Sequence, residues 1–142
     1  MLEKKDFGND APLLAFAAQT ATADVTGATC DMLDYDGCLI VVNVGTSGDT
    51  LSGSVYMEFE VETSDDNSTW VDAADAVVTN TVTGTNTGTF AKVDDAAEDA
   101  AIFTAAYLGG ERYIRVIDNV TGTHSNGTPI SATYIRTRKK TG

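Results

Sequence analysis

The sequence predicts an all-β protein, an antiparallel β-sandwich that is jelly-roll-like and has at most one short helix. The chain of 142 residues is 42% hydrophobic, which suits a single globular domain with its own core. β-Branched residues are frequent, and Gly and Asn turn signals separate short apolar runs. One stretch, VYMEFEVE from Val55, alternates strictly between apolar and polar residues after its first pair, as a half-buried strand does. Seven to nine short strands are expected at sandwich-like spacing.

The first part of the chain is predicted to be an arm that leads into the sandwich. Residues 1–12 (MLEKKDFGNDAP) have no periodic pattern and are interpreted as an extended N-terminal arm, with Phe7 as its anchor. The first strand is expected to begin within Leu13–Phe16. The polar run Asp31–Gly37 predicts a turn.

The next segment, Cys38–Val44 (CLIVVNV), is apolar at almost every position. Such a run is typical of a central strand that is buried on both faces. Cys30 and Cys38 have no zinc-site spacing, and we expect two free buried thiols. Gly45–Ser54 is predicted to be a flexible loop on its Gly and Ser content.

The segment Val55–Thr79 predicts a hairpin at the centre of the sheet. The polar run Thr63–Thr69 supplies its turn, and the only tryptophan, Trp70, is expected to be a large core anchor. The alternation predicts one face in the core and one in water. The glutamates on the predicted water face are Glu58, Glu60 and Glu62.

The second half of the chain mixes turns and strands. Threonine occupies every odd position of Thr79–Thr89, and the interspersed Gly and Asn predict a hairpin tip. Asp94–Thr104 (DDAAEDAAIFT) is the one helical candidate, with an aspartate cap and four alanines. Arg112–Ile117 and Ile130–Thr137 are predicted strands. The sandwich domain is therefore assigned to residues 13–137, and residues 138–142 to a basic C-terminal tail.

Charge is divided unevenly along the chain. Residues 1–111 contain twenty acidic and three basic residues, a net charge of −17, whereas residues 112–142 contain six basic residues and one acidic, a net charge of +5. An acidic body repels phosphates, so no nucleic-acid partner is expected. The basic end instead favours an acidic protein partner. The candidate partner-binding residues are Phe7, Arg136, Arg138, Lys139 and Lys140.

No targeting segment is predicted. The apolar run Leu13–Ala18 is too short and too interrupted for a signal peptide, and no segment has the length of a membrane span. We therefore expect no membrane association.

The motifs that support catalysis are not assembled in this sequence. Successive glutamates of the Glu58–Glu62 face lie about 7 Å apart, within the range of inverting glycosidases. However, nothing places one of them in the apolar pocket that a general acid needs. His124, the only histidine, is interpreted as a surface-loop residue. We expect a non-enzymatic protein without a cofactor, and leave open a weak calcium contact at Asp34/Asp36 or Asp65/Asp66.

Two short pieces resemble the small virion proteins of tailed bacteriophages. They are ETSDDNSTWVDAAD (Glu62–Asp75), with an acidic turn before an aromatic residue, and YLGGERYIRVI (Tyr107–Ile117). The chain is most similar to the capsid cement (decoration) family, over roughly Leu39–Ile135. Asn67-Ser68 stands where the family turn has glycine. The resemblance implies a jelly-roll-like sandwich that sits on the virion surface and clamps neighbouring subunits of the major capsid protein, as a dimer or trimer.

Two other functions are compatible with the same sequence. The first is a structural protein of a phage tail or head–tail connector. The second is a carbohydrate-binding β-sandwich, in which Tyr56 beside Glu58 and Glu60 would contact a glycan.

Overall fold

The protein is an all-β sandwich of antiparallel strands, seen in a computed structural model that describes residues 10–138. The sequence prediction of the fold class is confirmed. None of the described residues forms a helix that is long and apolar enough to span a membrane. The strands are β1 (Asp10–Ala21), β2 (Val25–Thr26), β3 (Cys30–Asp31), β4 (Tyr35–Val44), β5 (Tyr56–Ser64), β6 (Val71–Asp72), β7 (Thr89–Val93), β8 (Ala101–Tyr107), β9 (Tyr113–Thr121) and β10 (Thr128–Arg138).

The strand order is that of a jelly roll. One sheet has four strands in the order β1-β10-β4-β8, and the other has six, with β9 and β5 at its centre. β2 and β3 both pair with β9, and β6 and β7 both pair with β5, so each pair acts as one interrupted strand. Counted in this way, eight strands form sheets in the orders 1-8-3-6 and 2-7-4-5, the two-sheet arrangement of a jelly roll.

The core lies between the two sheets and follows from the two-residue alternation of the long strands. From the four-stranded sheet, Phe16, Ile40 and Tyr134 point inward, and Phe59 and Val116 meet them from the six-stranded sheet. The rings of Phe16 and Phe59 lie 6.4 Å apart across the sandwich. The prediction that β4 is buried on both faces is wrong. Its residues alternate, and every second side chain faces solvent.

One tyrosine hydroxyl joins the two sheets. Tyr134, on β10, is fully buried, and its Oη donates a hydrogen bond to the carbonyl of Ala28 at 2.8 Å. The same oxygen accepts the backbone N–H of Val116, on β9, at 2.9 Å. It therefore occupies the break between β2 and β3, where β9 has no strand partner. Gly27 makes this possible, because a Cβ there would lie 2.5 Å from the Val116 carbonyl oxygen.

Both ends of the sandwich extend past the boundaries that the sequence predicts. β1 begins at Asp10, which pairs with Thr137, and β10 continues to Arg138, which pairs with Tyr35. Three residues of the predicted arm and one of the predicted tail therefore belong to strands. The rest of the predicted arm and tail, including Phe7, Lys139 and Lys140, lies outside the described residues.

The predicted helix at Asp94–Thr104 is wrong. Asp94–Ala100 forms turns in which the side chains of Asp95 and Glu98 accept backbone N–H groups. Ala100 has φ of +49°, which breaks a right-handed helix. Ala101 then starts β8, which pairs with β4 along seven residues. Sheet pairing therefore overrides the local helix propensity of the alanines.

The two thiols are free and buried, as predicted. Cys30 lies on the six-stranded sheet and Cys38 on the four-stranded sheet. Burial and the neighbouring thiol hold the pKa of Cys38 above its usual range.

Tyr134→Phe is expected to lower the free energy of unfolding by about 1–3 kcal/mol, because it leaves the buried N–H of Val116 without its partner and removes the hydrogen bond to the carbonyl of Ala28. Urea unfolding measures the loss. Tyr113→Phe, at a half-buried tyrosine on β9, is the control and should change stability by less than about 0.5 kcal/mol. Equal effects of the two substitutions would contradict the role given to the Tyr134 hydroxyl.

Candidate functional site

The solvent side of the four-stranded sheet is the first candidate site, because its centre carries no charged side chain. Its members alternate with the buried residues of the same strands. They form what we call the uncharged face: Pro12, Leu14, Leu39, Val41, Asn43, Ile102, Thr104, Ala106, Ser131, Thr133 and Ile135.

Large apolar side chains stand exposed on this face. Leu14 is 58% exposed, Leu39 41% and Ile102 65%. Single exposed apolar residues are ordinary, but a contiguous apolar patch marks an interaction site. Four strands at about 4.8 Å spacing and about seven residues of length give roughly 400 Å². That is the area of the whole face, in which Asn43, Thr104, Ser131 and Thr133 lie among the apolar side chains.

The solvent side of the six-stranded sheet is different. The prediction that its glutamates face water is wrong for two of the three. Glu58 and Glu60 are buried, at 2% and 1% exposure, and only Glu62 is partly exposed. The cause is the threonine-rich segment before β7, which is not a paired hairpin tip but a loop folded over this side of the sheet. The two-residue alternation predicts correctly on which face of β5 the glutamates lie. It carries no information about the loop that covers this face.

The loop holds the buried glutamates by direct hydrogen bonds. The backbone N–H of Thr85 donates to Oε2 of Glu58 at 3.0 Å, and Lys92 lies 3.8 Å from its Oε1. The amides of Asn86 and Asn119 both donate to Oε1 of Glu60, at 3.1 and 2.6 Å. Burial nevertheless raises the pKa of Glu60, because water is excluded from its charged form.

Trp70 is not the core anchor that the sequence predicts. It is half-buried beside the six-stranded sheet, where the guanidinium of Arg115 lies 4.2 Å from its ring centroid. Arg115 also donates from Nε to Oε2 of Glu62 at 2.7 Å. The turn before Trp70 is held by Asp66, whose Oδ1 accepts the N–H groups of Ser68 and Thr69.

One residue of this turn has a left-handed backbone conformation. Asn67 has φ of +57°, a left-handed conformation that glycine usually provides and that asparagine tolerates better than most residues. The turn therefore keeps its conformation without glycine.

Of the basic residues proposed to bind a partner, only two lie among the described residues. Arg136 contacts its own chain: Nη1 donates to the carbonyl of Asp31 at 3.1 Å, and the guanidinium lies 4.4 Å from the Tyr35 ring. Arg138 is exposed at the end of β10. Partner binding by these residues stays a prediction, with Arg138 the more available of the two.

His124 is buried, not on the surface as predicted. Its Nε2 donates to the carbonyl of Thr121 at 3.0 Å, and its Nδ1 lies 3.6 Å from Oδ2 of Asp49. The Asp49 carboxylate also accepts the N–H groups of Asn126 and Gly127. This group ties two loops together, and a side chain this buried is out of reach of a substrate.

Asp118 has the most perturbed carboxyl group. It stands opposite Phe59 in the β5–β9 ladder and faces the core, fully buried. Neither of its carboxylate oxygens has a hydrogen-bond partner among the described residues. Burial, with a smaller effect of Asp24, raises its pKa to about 8. It is not a catalytic candidate, because the apolar core around it leaves no room for a substrate.

The remaining sequence candidates are separate from one another. Asp34 and Asp36 are exposed in and after a turn, and Asp66 is engaged in its own turn. The carboxylates that do converge are Glu60, Glu62 and Asp72. Tyr56 offers little to a glycan, because Lys92 covers its ring at 4.4 Å.

Comparison of the chain with protein-family models and with curated proteins finds no match to either. Its function therefore has to be argued from the residues and their arrangement.

Trp70→Ala is expected to lower the free energy of unfolding by about 1–2 kcal/mol, the range of a partly desolvated cation–π contact. Phe16→Ala, which removes a core ring, is the control and should cost about 3–5 kcal/mol. Urea unfolding compares the two. A loss as large as that of Phe16→Ala would show that Trp70 belongs to the core after all.

Asp118→Asn is expected to remove a pH dependence of stability. The folded pKa of about 8 lies above the unfolded value of about 3.9, so the folded state holds a proton that the unfolded state releases between these values. The contribution of Asp118 to stability is thus fully present below about pH 4 and is lost toward pH 8, by up to about 1.4 kcal/mol per pH unit.

Urea titrations from pH 5 to pH 8 measure this slope in the wild type and in Asp118→Asn, with the exposed Asp36→Asn as control. The difference between wild type and Asp118→Asn should grow in favour of the variant as pH rises. Parallel curves would contradict a protonated Asp118.

Proposed function

We propose that this protein is a non-enzymatic virion structural protein that binds the outside of a phage capsid and clamps neighbouring major capsid subunits through its uncharged face. The observation that carries the proposal is the composition of β4. Its outward residues Leu39 and Val41 are as apolar as its inward residues Ile40 and Val42. A strand of this kind is typical of a sheet covered on both sides, yet none of residues 10–138 covers the outer side of Leu39.

Charge supports a contact made through this face. The body of the chain is strongly acidic, whereas the uncharged face holds only apolar side chains, threonine, serine and asparagine. Docking here desolvates no charge, so apolar burial is not offset by the cost of removing ions from water. The occupant that fits is a low-charge protein surface, and the proposal assigns it to the major capsid protein.

The size of the face limits what it can do alone. A standard interface buries about 800 Å² on each partner, about twice the roughly 400 Å² estimated for the uncharged face. The proposal assigns the remainder to Phe7, Lys139 and Lys140, which flank the described residues, and to Arg138. β1 and β10, which lead to these segments, are neighbours at one edge of the same sheet.

The resemblance to capsid cement proteins supports the choice of partner. Apart from Tyr107, which ends β8 of the four-stranded sheet with its side chain buried, both sequence pieces lie on the six-stranded sheet or in loops, away from the uncharged face. The pieces and the face are therefore independent arguments for the same function. Homo-oligomer formation, as a dimer or trimer, remains part of the proposal.

Leu39→Lys should weaken capsid binding without unfolding the protein. A lysine at this position of the uncharged face, on the inner strand β4, would be desolvated on docking, and binding is expected to weaken by at least about tenfold. The measurement is co-sedimentation with capsids of the major capsid protein encoded in the same genome. Val82→Lys is the matched control: Val82 is 44% exposed, but in the loop over the other sheet.

Three outcomes would oppose the proposal. Wild-type protein that fails to co-sediment with capsids removes the function. Signal at the neck or tail in electron microscopy of labelled particles favours the tail or connector alternative. A dimer that Leu39→Lys turns into a monomer in analytical ultracentrifugation, with capsid binding unchanged, assigns the face to a second copy of this chain.

A further inference from the structure

A cluster of carboxylates on the outer side of the six-stranded sheet lies outside the proposed docking function. Glu60 and Glu62 are on the same side of β5, and Asp72, on β6, is the ladder partner of Glu62. One oxygen from each carboxylate can be chosen so that all three lie within 4.8 Å of one another. Arg115 is the only basic side chain in a salt bridge with any of the three, among the described residues. The cluster therefore keeps a net charge of −2.

One oxygen of this cluster has no partner. Glu60 is 1% exposed, and its Oε1 takes both asparagine amides. Its Oε2 is buried and makes no hydrogen bond within residues 10–138. A buried carboxylate oxygen without a donor destabilises the folded state unless something pairs with it. The unpaired Oε2 therefore belongs to the same carboxylate group that lies close to those of Glu62 and Asp72.

We propose that Glu60, Glu62 and Asp72 bind a divalent cation of the Ca²⁺ type. The Ca²⁺ ion takes carboxylate oxygens at about 2.3–2.6 Å, so two of its ligands lie at most about 5 Å apart. The cluster satisfies this limit, because the three chosen oxygens lie within 4.8 Å of one another. A charge of +2 also neutralises the remaining −2.

The two ends of the cluster differ in access. Oε2 of Glu60 is closed off below the threonine-rich loop, and Asp72 is exposed on β6. An ion can enter from the side of Asp72 and complete its shell with water. Arg115 holds only Oε2 of Glu62, which leaves the other oxygen of that side chain for the ion.

Trp70 provides a local reporter. Arg115 contacts both the Trp70 ring and Glu62, so the only tryptophan lies one side chain away from the proposed ion. Tb³⁺ takes the place of Ca²⁺ in oxygen sites and emits when a nearby tryptophan is excited. The full chain, freed of metal with a chelator, should show saturable Tb³⁺ emission on excitation of Trp70. Ca²⁺ should reverse it at much lower concentrations than Mg²⁺.

Variants separate this site from general attraction to an acidic protein. Asp72→Asn changes an exposed residue and should weaken Ca²⁺ binding at least tenfold in isothermal titration calorimetry. Asp36→Asn removes the same charge from an exposed position elsewhere and should bind like the wild type. Trp70→Phe should remove the Tb³⁺ emission and leave Ca²⁺ binding intact.

Glu60→Gln adds a signature that a purely structural glutamate would not give. Without metal, this variant should melt at or above the wild-type temperature, because the unpaired buried carboxylate is gone. With Ca²⁺, the wild-type melting temperature should rise and that of Glu60→Gln should not.

The proposal is overturned if Ca²⁺ neither binds the wild type nor raises its melting temperature. It is also overturned if Asp72→Asn and Asp36→Asn weaken binding equally, because the ion would then be adventitious on an acidic surface. None of these readouts depends on capsid binding, so the proposal can fail or stand separately from the proposed function.

Discussion

The hydroxyl of Tyr134 is the contact on which the arrangement of the two sheets depends. It comes from β10 of one sheet and satisfies a carbonyl at Ala28 and an N–H at Val116, in the break between two short strands of the other. The buried N–H of Val116 would otherwise lack a partner, so the hydroxyl fixes where the sheets lie against each other. A purely apolar core would permit small shifts of one sheet over the other, since apolar contacts have little directionality.

The outer faces of the two sheets differ in what covers them. On the six-stranded sheet the threonine-rich loop covers two glutamates and supplies donors from Thr85 and Asn86. On the four-stranded sheet nothing within the described residues covers Leu39 or Ile102, which remain exposed. The candidate functional surfaces are therefore the outer sides of the two sheets, since the core accounts only for stability.

Local patterns predicted the strands well because alternation is a property of neighbouring residues. They predicted coverage poorly because coverage comes from distant segments. The sequence predicts the correct face for Glu58 and Glu60, but predicts that they face water. No local pattern indicates that residues 79–88 fold over them. The burial of His124 has the same cause, whereas Asp118 is buried because it continues the inward alternation of Ile114 and Val116 on β9. For β4 the error has the opposite direction. Its outer side is apolar, so the sequence predicts burial on both faces, but the structure leaves that side exposed. This exposed apolar side is part of the uncharged face. The carboxylate cluster does not follow from local patterns, because it depends on the pairing of β5 with β6, which brings Asp72 next to Glu62.

The two proposed sites lie on opposite sides of the sandwich. Sheets in a sandwich pack about 10 Å apart, so the uncharged face and the carboxylate cluster are separated by the whole core. A partner bound to the uncharged face therefore leaves Asp72 in contact with solvent, and an ion bound at Asp72 puts no charge on the docking surface. Coupling between the sites would have to pass through the Tyr134 contact or the packed core, which is close-packed and resists gradual deformation. The simplest physical expectation is independence: the ion sets the stability of the β5–β6 hairpin, and the uncharged face sets what the protein binds.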